Sequence, residues 1–99
     1  MGTEAPEDGL DGSETLVAKA NVLHSTVDDE EVLLDSDTGV YYGLNPVGRF
    51  LWHQLQEPRP VADLVERTAS EFDVSRSECE EDVREFLTDL VESDLAERR

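Results

Sequence analysis

Apolar residues along this chain of 99 residues follow two rhythms. Up to Leu44 they come in short runs rich in β-branched side chains, which predicts strands. From Val47 onward they recur at steps of three and four, which predicts amphipathic helices. Met1 to about Glu14 follows neither rhythm. It is rich in Gly, Glu and Asp and reads as a disordered acidic tail ahead of a folded domain at 15–99. Leu16-Val17-Ala18 is a short extended lead-in. Val22–Val27 is the first predicted strand, Asp28-Asp29-Glu30 a polar turn, and Glu31–Asp35 the second strand. Ser36–Gly39 turns the chain again, with Gly39 available for positive φ, and Val40–Leu44 is the third strand. Loops this short imply an antiparallel meander.

The helices carry their own start signals. Asn45 is a favoured N-cap, and Pro46 at the first helical position loses no needed hydrogen bond. Val47, Phe50, Leu51 and Leu55 then share one face, with Trp52 on its flank. Glu57-Pro58-Arg59-Pro60 breaks this helix. Val61, Leu64, Val65, Thr68, Ala69 and Phe72 trace a second helix ending near Asp73. Ser75-Arg76-Ser77-Glu78 has the form of a capping box. Beyond it, Cys79, Val83, Phe86, Leu87, Leu90, Val91 and Leu95 form a stripe wider than one helix-on-helix contact needs. The predicted architecture is α+β: a three-stranded meander followed by three helices.

Charge narrows the function classes. There are 25 acidic and 8 basic residues, a net charge of -17. Such a chain is repelled by nucleic acid and by anionic lipid, and attracts basic peptides or surfaces. Arginine supplies all the basic residues except Lys19, so salt adaptation or solubility is the plainer reading of the acidity, and partner steering can coexist with it. An apolar content of 37% fits a folded globule, and 99 residues leave little room for a deep enzyme cleft. The lone Cys79 allows no internal disulfide and fits a reducing compartment. With neither a membrane span nor a secretion signal in the sequence, a cytoplasmic protein is expected. His24, His53 and Cys79 fall on three different predicted elements without ligand-type spacing, so neither a metal site nor a Cys–His nucleophile is expected. Phosphate-binding glycine loops and dinucleotide fingerprints are missing from the sequence, and no cofactor is expected.

The junction Gly39–Trp52 is the most distinctive segment. Its tyrosine-rich strand stops at Asn-Pro, and nothing in it is suited to breaking bonds. An exposed strand edge there would offer unpaired amides and carbonyls to an extended peptide. Tyr41 and Tyr42 must point to opposite faces. Alternation with Val40 and Leu44 puts Tyr42 on the core or cleft side. Gly43 either admits a partner backbone or marks a bulge.

Val32-Leu33-Leu34-Asp35, Gly39-Val40-Tyr41-Tyr42-Gly43-Leu44-Asn45, Gly48, Trp52 and Asp82-Val83-Arg84-Glu85-Phe86-Leu87 with Leu90 together resemble the PqqD-like family over about residues 20 to 96. These are recognition elements for ribosomally made, post-translationally modified peptides. The resemblance implies a winged-helix-like, non-catalytic domain to which a precursor's leader segment adds as a strand. Val40, Tyr41, Tyr42, Gly43 and Leu44 would be the docking edge. Asp82, Val83, Phe86, Leu87 and Leu90 would line a cleft beside it. The implied partners are a precursor peptide and a separate maturation enzyme such as a leader peptidase, cyclase or radical SAM enzyme. The tyrosine-rich strand and Trp52 look closer to stand-alone elements of lasso-peptide clusters than to the quinone-cofactor pathway member. Two departures stand out: Glu57-Pro58-Arg59-Pro60 replaces a glycine turn, and Asp94 stands where relatives often have glycine, which predicts a less sharp end to the last helix. A winged-helix DNA-binding regulator and a general protein-protein module remain alternatives, and an open third strand would allow dimers through edge pairing.

Overall fold

The computed structural model describes residues 12–99. Most of the expected tail, residues 1–11, lies outside the described residues. Its last stretch is held: the Gly12 and Glu14 carbonyls accept from the Ala62 and Val61 amides at 2.9 and 2.8 Å. Nine elements follow in order: β1 (Thr15–Ala18), β2 (Val22–Val27), β3 (Glu30–Asp35), β4 (Tyr41–Leu44), α1 (Pro46–Gln54), β5 (Arg59–Pro60), α2 (Val61–Phe72), α3 (Arg76–Glu92) and β6 (Ala96–Arg98).

The expected meander is the antiparallel sheet β2-β3-β4. Asp28 and Asp29 both have positive φ, 52° and 70°, and make a two-residue turn between Val27 and Glu30. That geometry matches the right-handed twist of the flanking strands. Gly39 has φ 77°. The turn before β4 is organised by Asp35, whose buried carboxylate accepts from the Asp37 amide at 2.9 Å and from Asn21 Nδ2 at 3.1 Å. Val40 belongs to this turn rather than to the strand, so β4 begins one residue later than expected.

A second antiparallel sheet, β5-β1-β6, departs from the single expected meander. The lead-in at Leu16 is its central strand, pairing with Arg59 on one side and Arg98 on the other. The proline-rich break supplies β5, where Arg59 and Pro60 sit at an edge that tolerates proline. β6 exists because α3 stops earlier than its apolar stripe suggests. Asp94 takes φ 66°, the Leu95 amide reaches the Leu90 carbonyl at 2.8 Å, and the Asp94 amide reaches Val91 at 3.1 Å. This is a Schellman closure with aspartate in the glycine position. The end is therefore sharp, contrary to expectation. Aspartate tolerates the left-handed region better than most side chains, and its carboxylate accepts from Lys19 Nζ at 2.5 Å. That bond holds the Lys19 ammonium above its ordinary value despite an opposing desolvation.

The helix starts follow the sequence. Asn45 Oδ1 accepts from the Gly48 amide at 2.7 Å, and Ser75 and Glu78 form the reciprocal capping box. The core lies between the sheets and the helices. Leu16, Leu33, Leu51, Leu55, Leu64, Val83, Leu87 and Leu90 have no exposed surface.

Candidate peptide-binding site

β4 is an edge strand: among the described residues its strand neighbour is β3 alone. The register fixes which groups face outward. The Asp35 amide donates to the Val40 carbonyl at 3.0 Å, and Leu34, Leu33, Val32 and Glu31 then lie opposite Tyr41, Tyr42, Gly43 and Leu44. Hydrogen-bonded and non-bonded pairs alternate in an antiparallel ladder. Tyr42 and Leu44 therefore bond inward to β3, while the backbone groups of Tyr41 and Gly43 point to the open side. The ladder runs through Gly43 in unbroken register, so Gly43 is no bulge. A Cβ added there would meet nothing within 4 Å.

The side chains divide as period-2 geometry requires. Tyr41 is 65% exposed, while Tyr42 and Leu44 pack against the core cluster. Val40, expected to alternate with them, is 61% exposed because it has left the strand. The Tyr42 ring meets Phe86 of α3 edge-to-face, with centroids 6.1 Å apart. Partial burial raises the Tyr42 phenol above its ordinary value, and the Asp89 carboxylate adds to the effect.

Beside this contact lies a cleft of about 410 Å³ lined by Asn45, Val47, Gly48, Asp82, Glu85, Phe86 and Asp89. α3 thus has two working faces. Cys79, Val83, Leu87 and Leu90 form the buried one, and Asp82, Phe86 and Asp89 form the one turned to the cleft. Leu87 and Leu90, expected as cleft lining, are fully buried and support the wall from behind. Val83 is likewise fully buried, against a second hollow lined by Phe72, Val74 and Cys79. The broad stripe seen in sequence is these two faces read as one. The Cys79 thiol, raised by burial, takes no part in the cleft.

Gly48, which carried no site role in the sequence, shapes the cleft wall. A Cβ on it would sit 3.0 Å from two atoms of the Phe86 ring. Glycine lets α1 come close enough to seat that ring, and the signal was a glycine one turn into an amphipathic helix. His24 and His53, expected to lie apart, are brought together with Glu31 by the packing of β2, β3 and α1. Cys79 stays in the core, away from them.

α3 carries Glu81, Asp82, Glu85, Asp89 and Glu92 as exposed acids, three of them on the cleft. A helix so charged is unsuited to a DNA groove. No helix among the described residues is long and apolar enough to cross a membrane.

An edge strand facing a helix-walled cleft, on a domain of this topology, defines a class as well as a shape. The family model described as coenzyme PQQ synthesis protein D (PqqD) matches residues 30–96, so the chain belongs to the PqqD family. Two solved structures are similar to it. "TbiB1 in Complex with the TbiA(beta) Leader Peptide" is 36% identical, with a TM-score of 0.70 over 82% of this chain and 94% of that one. "Lasso peptide synthetase B1 complexed with the leader peptide" is 27% identical, with a TM-score of 0.70 over 83% of this chain and 96% of that one. Among curated proteins, no sequence matches the chain.

Proposed function

We propose that this chain is a non-catalytic adaptor that binds the leader segment of a ribosomally made precursor peptide and delivers it to a separate maturation enzyme. The reading rests on an open edge at Tyr41 and Gly43 in a strand whose Tyr42 ring packs on Phe86, a residue of the cleft wall. The similar solved structures, both complexes with leader peptides, support the reading, and the lasso peptide synthetase among them favours a lasso-peptide pathway. The leader adds as a strand at β4, where main-chain bonds give affinity and side-chain pockets give selectivity. Alternate leader side chains enter the cleft between β4 and α3. Phe86 offers the apolar contact, and Asp82, Glu85 and Asp89 favour a basic side chain. Holding the leader raises the local concentration of precursor at the enzyme, whether leader peptidase, cyclase or radical SAM enzyme. Pairing of two copies through β4 would occupy the same edge, so dimer formation and leader binding exclude one another.

The test is fluorescence anisotropy with a synthetic leader taken from a short precursor gene beside this one. Saturable binding that Gly43→Pro and Phe86→Ala each weaken is the expected result. Binding untouched by both changes would remove this site.

A further inference from the structure

On the side of α1 away from the cleft, three metal-ligating side chains converge from three elements. His24 lies opposite Leu33 and Glu31 lies opposite Thr26, so the two are diagonal neighbours across β2 and β3 on one face of the sheet. That face is the one turned to α1, since Leu33 on it is fully buried. His53 reaches them from the last turn of α1, its ring 5.3 Å from that of His24 and nearly perpendicular at 80°. His24 Nε2 already bonds one Glu31 oxygen. One ligand atom from each of the three lies within 4.8 Å of the other two.

We propose that His24, Glu31 and His53 bind one divalent transition-metal ion of the zinc, nickel or copper type. Donors around a tetrahedral ion with bonds of about 2.0–2.2 Å stand somewhat more than 3 Å apart. Exposed imidazoles need only small rotations to close to that spacing. Arg49 Nη1 stands 3.6 Å from the second Glu31 oxygen. It orients the carboxylate and leaves one oxygen for the ion, the part played by outer partners at metal sites. Two imidazoles and one carboxylate suit such ions rather than calcium or magnesium, which take oxygen sets. The excess of 25 acidic over 8 basic residues concentrates cations around the chain. A bound ion would staple β2 and β3 to α1. Because Glu31 lies opposite Leu44, it would also brace the end of β4 from behind.

The probe is zinc, titrated into the full chain without a histidine tag at physiological salt, against a chromophoric chelator. One equivalent should bind with a Kd of about 50 µM or tighter, and His24→Gln and His53→Gln should each weaken it at least about 10-fold. Excess zinc should raise the thermal midpoint of the parent by about 4 °C or more while leaving the double variant unmoved. Both histidines are exposed, and circular dichroism of the metal-free variants checks their folding. Weaker binding, or binding retained by the double variant through scattered carboxylates, overturns the proposal.

Discussion

Among the described residues the sheet β2-β3-β4 has two open edges, and they are unequal. β2 is the longer, six residues against four, and nearly all of it is exposed. The same alternation that turns Tyr41 and Gly43 outward on β4 turns His24 and Thr26 outward on β2, since the Ser36 amide bonds the Asn21 carbonyl and sets the phase. By unpaired backbone alone, β2 is the better template. What it lacks is a wall. β4 reaches α3 through the Tyr42–Phe86 contact, beside a cleft with three carboxylates, whereas β2 reaches the end of α1 through His24 on His53. An edge gives a peptide main-chain bonds, but a neighbouring helix gives it a reason to choose that edge.

Proline separates the two edges most strongly. Gly43→Pro removes an outward donor and adds a ring where a partner backbone would come close, while sparing the bonds to β3. Leader affinity should fall about 10-fold or more, against less than about 2-fold for Thr26→Pro on the other edge. Equal losses from the two, measured by anisotropy, would mean the edges are equivalent. Proline at Tyr42 is a poorer probe, because its amide belongs to the inner ladder.

The two faces of α3 should separate next. Phe86→Ala should cost leader affinity about 10-fold, and about 1–2 kcal/mol of stability through its lost contacts with Tyr42 and the core. Leu87→Ala should cost about 2–5 kcal/mol of stability, read by denaturant unfolding, and leave the affinity of the folded fraction unchanged. Gly48→Ala tests the seat under Phe86. Alanine gains up to about 1 kcal/mol of helix propensity, and crowding of the ring costs about 1–3 kcal/mol. A modest net destabilisation is expected, with affinity reduced several-fold as the ring shifts.

The smallest effect concerns the Tyr42 phenol. Its raised value means the fold favours the neutral form. The matching stability is fully present below the unfolded value of about 10 and is lost as pH rises through the folded value. A leader docked at β4 should bury Tyr42 further and push its ultraviolet titration higher still. Docking at β2 would leave that titration unmoved.

Much of the fold was legible because its signals are local. Asn45-Pro46 and the Ser75–Glu78 box act within a few residues and sit where they were expected, while the turn at Asp28-Asp29 is one residue shorter than expected and the helical period runs past the end of α3. The second sheet was not legible, because β1, β5 and β6 are two to four residues long and owe their existence to pairing across the whole chain. Asp94 misled for a related reason: aspartate in a left-handed turn is held by closure bonds and by Lys19, which is 75 residues away in sequence. The candidate site was legible in residue type but not in which side chains are reachable. Tyr41 to Leu44 and Phe86 could be singled out from residue type and resemblance, but a helical stripe does not reveal which of its sides faces a core and which a cleft.

The sequence alone therefore determined the order of the elements, their caps, and a tyrosine-rich strand next to a helix start, since these depend on backbone preference and hydrophobic period. Only the tertiary structure decided which backbone groups of β4 face outward, which of α3's apolar residues remain within reach, and that His24, Glu31 and His53 meet. Those depend on register and packing between segments distant in the chain, and no local preference encodes such distances.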